Sequence, residues 1–444
     1  MTKPHTYNRR TATIIERRLP SLTRRAGEPR TFFRDPFESL RTYDDSFVSP
    51  SKSKRLTAIR VVPFDRITTY DNRRLFRYTA GMGILIGMDE AGYGPNLGPL
   101  VVAATAWETA GESAAADGGA RKHTTSAAAS ADSIRSGSGS RTTRLARPQL
   151  DQHDLYRSLR RIVSRSPSDT HVAIADSKTL YKPGHGLRQL ERGVHAALAA
   201  IGCPAQSWSD LVQFCDADPD GLHAHLCWHD GFDCRLPIDA TSEELAPLGH
   251  RMAEACDGAG VRPVAVRARL VFPAEFNELT ERFGSKGAAL SHVTIGLLRE
   301  VVEAARESTS PSAAADSPVF ALCDKHGARN RYAALLQHHF SEHWIEPVTE
   351  GHVESSYEWG PPESRVHCAF RMQGEAFLPT ALASMTAKYL RELSMRAFNE
   401  FWCALVPGLR PTAGYPGDAP RFKQEIAMVQ RELCVADHVL WRNR

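Results

Sequence analysis

Residues 86–104 read IGMDEAGYGPNLGPLVVAA. Two acids, Asp89 and Glu90, stand side by side between two apolar runs and just ahead of a glycine-rich segment. Ile84–Met88 and Leu100–Trp107 have the composition of strands. The Gly/Pro-rich segment between them is a turn, so the stretch predicts a hairpin. Charges at the edge of a core hairpin are costly unless something compensates them.

The flanking sequence extends the pattern. Val264, Val266, Ala268, Leu270 and Phe272 alternate with Arg267 and Arg269, which predicts a half-buried strand. Leu290, Val293, Leu297, Leu298 and Val301 follow helical spacing. VFALCD (319–324) is a short apolar strand ending in Asp324, and Val366, Cys368 and Phe370 alternate again. Residues 378–402, rich in small and apolar side chains, form a helix. A hairpin followed by strands alternating with helices implies an α/β domain with a mixed sheet.

The chain has 444 residues, 42% of them hydrophobic, and a net charge of +4. That balance is uneven. Residues 1–80 hold 18 Lys and Arg against 8 Asp and Glu, a net of +10, which leaves −6 for the remainder. Residues 1–80 show no sustained period and are expected to be a disordered basic arm. Such an arm is either a solvated tail or a salt-sensitive contact to nucleic acid. Residues 81–444 are expected to be the folded domain, with Met82 just ahead of its first strand. Its Ala, Ser, Gly and Thr content marks 109–149 as a flexible insertion. Residues 202–262 are a second, less certain insertion; they carry His223, His225, Cys227, His229 and Cys234, whose spacing fits no usual zinc pattern. No apolar run is long enough for a bilayer, and the first residues lack the apolar region of a signal peptide. Nine irregularly spaced cysteines read as free thiols in a reducing compartment, so a cytoplasmic protein is expected.

Four acids stand where elements end or turn: Asp89, Glu90, Asp324 and Glu375. Carboxylate oxygens suit hard cations such as Mg²⁺ and Mn²⁺. Two such ions about 3.5–4 Å apart can serve an in-line displacement at phosphorus. Acids at strand ends also occur simply as solvated caps, and residue types alone leave both readings open.

Several ordered blocks together resemble the type 2 ribonucleases H (ribonuclease HII). GMDEAGYGPNLGPLVVAA resembles that family's DEAGRGP signature and the strand after it. IADSKTL (174–180) resembles its DSKKL segment, and VFALCD the strand bearing its third carboxylate. GEAFLPTALASMTAKYLRE (374–392) resembles its KGDA…AASILAKVTRD helix, one residue shorter. TAGYPGDAPRFKQEI (412–426) looks like GSGYPSDPKT of the archaeal and eukaryotic branch, and LWRNR (440–444) resembles the closing segment.

The resemblance implies a ribonuclease H-like mixed sheet flanked by helices. It implies a metal-dependent endonuclease that cuts the RNA strand of RNA–DNA hybrids or cuts at ribonucleotides within duplex DNA. Asp89, Glu90, Asp324 and Glu375 would be the catalytic, metal-holding set for Mg²⁺ or Mn²⁺. Gly92, Tyr93 and Gly94 would contact the 2′-hydroxyl, and Tyr415 would pack on the sugar. Ser177, Lys178 and Lys388 would face the substrate phosphates, with Arg329 and Arg331 as further phosphate contacts; the same charges also suit a solvated surface. His326 would be either a proton shuttle or an ordinary loop histidine. The expected partner is nucleic acid, with no membrane and a monomeric chain. A relative that binds nucleic acid without cutting it is the alternative. The chain departs from the pattern where Tyr93 replaces an Arg, where Glu375 replaces an Asp, and where Lys325 stands in place of the Gly usual in bacterial members.

Overall fold

The expected hairpin forms. In the computed structural model, β1 (Gly83–Ala91) pairs antiparallel with β2 (Leu100–Thr109), Gly83 lying opposite Thr109 and Ala91 opposite Val101. The structure describes residues 83–109, 154–308 and 317–443, all within one unit, Ala80–Arg444. The expected arm, 1–80, and residues 110–149 of the expected insertion lie outside the described residues.

The hairpin is the centre of a seven-stranded mixed sheet. β3 (Val261–Val271) pairs antiparallel with β2. On the other side β4 (Val319–Asp324) runs parallel to β1, and β7 (Val366–Arg371) runs parallel to β4. β6 (Glu354–Trp359) and β5 (Glu346–Glu350) continue antiparallel, so the order is β3-β2-β1-β4-β7-β6-β5. The α/β class and the mixed sheet flanked by helices are therefore as read from the sequence.

The main helices, in chain order, are α1 (Arg188–Ile201), α2 (Ser242–Ala259), α3 (Pro273–Phe283), α4 (Lys286–Ser308), α5 (Ala333–His339), α6 (Leu378–Leu405) and α7 (Ala419–Glu432). Strand side chains alternate between faces. Ile84, Ile86 and Met88 of β1 join one core with Leu290, Ile295, Leu298 and Val301 of α4. Gly87 points to the opposite face, where α6 begins. A Cβ on Gly87 would lie 2.0 Å from the Thr380 nitrogen, so only glycine lets the helix start this close to the strand.

α6 is buried around most of its circumference, as a helix in the middle of a domain should be. Each large apolar side chain so buried contributes about 1.5–3 kcal/mol. Two threonines fix its first turn to the sheet: Thr105 Oγ1 donates to Pro379 O and Thr380 Oγ1 to Leu322 O, both over 2.9 Å. The start of α6 is thereby held over the tips of β1 and β4.

Segment 202–262 packs as part of the domain. Ala268 and Leu270 of β3 donate backbone N–H groups to Cys215 O and Ala217 O (2.9 and 2.7 Å), which covers the outer edge of the sheet. His229 stacks on Trp208 (centroids 5.7 Å apart, planes at 16°) and lies 3.2 Å from Ser394 Oγ, while His223 bonds to Asp218. Among the described residues, this segment contributes to no group of side chains placed to hold a metal. All nine cysteines are free. No helix among the described residues is long and apolar enough to cross a membrane.

Candidate active site

The acids sit at the carboxyl ends of parallel strands. This is where open α/β sheets bind ligands, because the strands end there and loops diverge. Asp89 and Glu90 lie at the tip of β1, and Asp324 is the last residue of β4. Met88 and Cys323 are paired in register, so the acids emerge side by side. One carboxylate oxygen from each of Asp89, Glu90 and Asp324 lies within 4.8 Å of the others. Asp89 is buried on the α6 side, while Glu90 and Asp324 are half-buried. Glu375 follows β7, in the 3₁₀ turn Gly374–Ala376 that leads into α6. It is outside the set that meets within 4.8 Å, yet its charge acts on both Asp89 and Glu90.

These acids destabilise one another's charges. Burial, then the charges of Glu90, Asp324 and Glu375, push the Asp89 carboxyl well above the usual range. Burial and Asp324 raise Glu90 to about 7, against the opposing pull of Lys178. Burial likewise raises Asp324 and Glu375. Carboxylates forced together in a half-buried cleft are held at a cost that an added cation removes. The donor set fits a hard divalent cation: all its atoms are carboxylate oxygens, with no thiol or imidazole among them.

Neighbours fix the carboxylates. Ser384, in the second turn of α6, hydrogen-bonds Asp89 and thereby favours its ionised form. Gly374 N donates to Asp324 Oδ1 over 3.2 Å, and Lys325 N also bonds that carboxylate. The Lys325 ammonium is tied elsewhere, to Asn330 Oδ1 and His352 O at 2.8 Å each and to Gly351 O. It pins the loop after β4 to the β5–β6 turn.

Asp176 caps the short helix Ser177–Leu180 by accepting from Lys178 N at 2.9 Å. Buried Ser177 meets Ser384 at 3.0 Å between hydroxyls. Burial opposes the charge of Lys178, but Asp176, Asp89, Glu375 and Asp324 outweigh it and raise its pKa. The Lys178 cation therefore lies within electrostatic reach of the acid cluster. Lys388 is paired with Glu392 at 2.6 Å and lies 4.5 Å from the Tyr181 ring centre.

The turn Gly92-Tyr93-Gly94 follows Glu90 directly. Gly92 has φ +84°, and a Cβ there would lie 2.4 Å from Arg391 Nε and 2.6 Å from Pro99 O, so no other residue fits. Buried Arg391 underlies this turn and donates to Ala413 O (3.1 Å) and Leu97 O (3.4 Å). Asn96 N donates to Gly414 O at 2.7 Å, which ties the same loop to the AGYPG segment. Tyr415 is half exposed, and its ring edge stands 3.9 Å from where a Cβ on Gly94 would be. Tyr93 packs beside Lys286, whose ammonium is 5.6 Å from the ring centre.

His326 is a structural histidine. It is buried, its Nδ1 is 3.0 Å from Ser291 Oγ, and it packs against Tyr332 and Phe370; burial lowers its pKa to about 3. Arg329 lies over Tyr332 (5.9 Å), and Arg331 is exposed, 3.6 Å from Glu350. Sequence reading overlooked Ser384, Lys286 and Arg391. The available signal was slight: a hydroxyl among small residues on α6, and two cations with nothing to show which way they face.

No protein-family model matches the chain, and no curated protein matches it. Among solved structures, similarity is found to the ribonuclease H2 from Pyrococcus horikoshii OT3, at 14% identity and a TM-score of 0.34, covering 80% of this chain and 92% of that one. The ribonuclease HII in the PCNA:RNase HII complex from Archaeoglobus fulgidus is similar at 13% identity and a TM-score of 0.30, over 81% of this chain and 94% of that one. A Bst ribonuclease HIII in complex with Mn²⁺ is similar at 12% identity and a TM-score of 0.31, over 82% of this chain and 67% of that one.

Proposed function

We propose that the protein is a metal-dependent endonuclease that hydrolyses the RNA strand of RNA–DNA hybrids or cuts at ribonucleotides embedded in duplex DNA. The observation that carries this reading is the meeting of Asp89, Glu90 and Asp324 oxygens within 4.8 Å at the strand ends, beside a glycine turn and a half-exposed tyrosine. The motif resemblance, block by block in order, supplies the reaction.

In this reading Asp89, Glu90, Asp324 and Glu375 hold Mg²⁺ or Mn²⁺, which when bound activates water and stabilises the leaving oxygen. The water oxygen bonds to phosphorus as the bond to the 3′-oxygen breaks, leaving a 3′-hydroxyl and a 5′-phosphate. Gly92 and Gly94 bring backbone atoms against the 2′-hydroxyl, the group that distinguishes RNA from DNA. Tyr415 packs on the sugar. Ser177 and Lys178 face the phosphate, Lys178 as a point charge. The ring of Tyr93 carries no charge, and Lys286 beside it supplies a cation at the same turn. The domain reading belongs to the same proposal: residues 81–444 carry the chemistry, and the basic arm 1–80 adds salt-sensitive affinity.

The test is incubation of the purified full chain with Mg²⁺ or Mn²⁺ and two substrates, an RNA–DNA hybrid and a DNA duplex carrying one ribonucleotide. Cleavage leaving a 3′-hydroxyl, abolished by EDTA and by Asp89→Asn, is the expected result. Tight binding without cleavage in either metal would leave the non-cleaving alternative, and neither binding nor cleavage would overturn both.

A further inference from the structure

A second cluster of ligand-type side chains lies outside the carboxylate site. His292 projects from α4, and His338 and His339 end α5. One ring nitrogen from each can be chosen so that all three lie within 4.8 Å of one another. The ring centroids form a nearly equilateral triangle: 5.3 Å from His292 to His338, 5.3 Å from His292 to His339 and 5.1 Å from His338 to His339.

That triangle has the size of a metal-centred one. A zinc–imidazole bond is about 2.0–2.1 Å, and the ring centre lies roughly 1.1 Å beyond the nitrogen. Three imidazoles at tetrahedral angles around one ion then have centroids about 5.2 Å apart. The nitrogen spacing agrees: His292 Nδ1 is 3.1 Å from His339 Nε2. Two lone pairs facing each other at this distance repel unless a proton or an ion lies between them. Among the described residues, the hydrogen-bond partner of each of these two imidazoles is the other. No carboxylate has been placed in the group, as it would be for an ordinary salt-bridged histidine.

The rings are also held in place. Phe283 stacks on His292 with centroids 3.6 Å apart and planes at 14°. Arg299 Nη1 donates to His339 O and fixes the end of α5. His292 and His339 are half-buried. His338 is exposed, which leaves the solvent side of the cluster open.

We infer that His292, His338 and His339 form a three-histidine site for a borderline divalent transition metal of the zinc class, separate from the oxygen-lined carboxylate site. Imidazole donors select Zn²⁺, Co²⁺ or Ni²⁺ over Mg²⁺. Three ligands leave a fourth position open to solvent. The bound ion clamps α4 to α5. The clamp adjoins the candidate active site, because Ser291, next to His292, holds His326 two residues after Asp324.

The test uses the full chain stripped with chelator and re-equilibrated in excess Mg²⁺ to occupy the oxygen ligands. Zn²⁺ is then titrated against a chromophoric chelator, and Co²⁺ is added separately for its visible spectrum. The expected result is one equivalent of Zn²⁺ and intense nitrogen-ligand Co²⁺ bands, with affinity falling at least tenfold in His338→Gln and in His292→Gln. Zn²⁺ should raise the Tm of the natural protein and not that of the variants. His338 is exposed, so His338→Gln separates ligand loss from misfolding, and far-UV circular dichroism checks it. No Zn²⁺ binding by the natural chain, equal affinity in the variants, or only the weak bands of an oxygen-ligated Co²⁺ would each overturn the proposal.

Discussion

The hydroxyls of Ser384 and Ser177 meet at 3.0 Å, joining α6 to the helix that carries Lys178, and Ser384 also bonds Asp89. One small side chain thus positions a carboxylate and the segment that faces it. The bond lowers the pKa of Asp89 against the larger effect of burial. Ser384→Ala removes it, so Asp89 ionises at a higher pH. A hydrogen bond to a charged group contributes about 1.5–3 kcal/mol. The expected outcome is cleavage reduced about tenfold near pH 7, with the acid limb of the pH–rate profile moved to higher pH. An unshifted profile would remove Ser384 from the site.

The carboxylate cluster predicts how stability depends on pH. In the folded chain Asp89, Glu90, Asp324 and Glu375 all have raised pKa values. Between pH about 4, where they ionise unfolded, and the folded value of about 7 for Glu90, the folded state binds more protons. Their contribution is therefore complete at low pH and is lost as pH rises through the folded values. In EDTA the Tm should fall across this window, and Mg²⁺ should restore it. Glu275, also raised to about 7 by burial, acts in the same direction, so Asp89→Asn is the control. Asp89→Asn should raise the Tm in EDTA at pH 7.5 by about 2 °C or more and abolish cleavage. A lower Tm for the Asn variant in EDTA would show that the cluster carries no charge strain.

Much of this site was legible because it rests on local signals. Period-two alternation marked β3 and β7, apolar runs on either side of a Gly/Pro turn marked β1 and β2, and acids at strand ends marked Asp89, Glu90 and Asp324. Other elements gave no such signal. β5 reads EPVTE and is exposed along its whole length, so it shows no apolar alternation. α2 carries Pro247 inside it. Whether Ser384 faces Asp89 depends on the rotation of α6, which the approach at Gly87 and the two threonine bonds set. The convergence of His292 with His338 and His339 is likewise tertiary: it needs α4 and α5 packed together, and no sequence spacing reports it.

A chain beginning at Met82 should fold and keep the intrinsic cleavage rate, because every motif block lies after that residue. At low salt the full chain should bind nucleic acid more tightly than the shortened one, and the difference should vanish as salt rises. Fluorescence anisotropy at several salt concentrations measures this. A salt-independent difference, or a shortened chain that does not fold, would refute the assignment.

In the proposed reading, Tyr93 and Lys286 together stand where the resemblance implies an arginine in the glycine turn. Lys286→Ala should raise KM for a single-ribonucleotide duplex several-fold with kcat little changed, since in this reading its cation adds binding that is the same in the ground and transition states. Tyr93→Arg should partly rescue that loss in the double variant. An unaltered KM in Lys286→Ala would mean that the cation beside Tyr93 serves only to pack the ring.

Glu375 stands apart from the other three acids. Its oxygens are outside the group that meets within 4.8 Å, yet its charge reaches Asp89 and Glu90, and it follows Gln373, whose φ of +61° turns the chain sharply into α6. Glu is one methylene longer than the Asp that the resemblance implies, and its block is one residue shorter, so in the proposed reading the longer side chain compensates for an earlier helix start. Two consequences follow. Glu375→Ala should cut the rate at least tenfold and raise the metal concentration needed for half-maximal activity. Glu375→Asp should fall between the two, because the shorter carboxylate withdraws from the cluster. Mn²⁺, which is less demanding in its coordination than Mg²⁺, should rescue the Asp variant more than Mg²⁺ does. Metal titrations of the three proteins decide the matter. If Glu375→Ala cleaves as fast as the natural protein at every metal concentration, Asp89, Glu90 and Asp324 hold the ions without it.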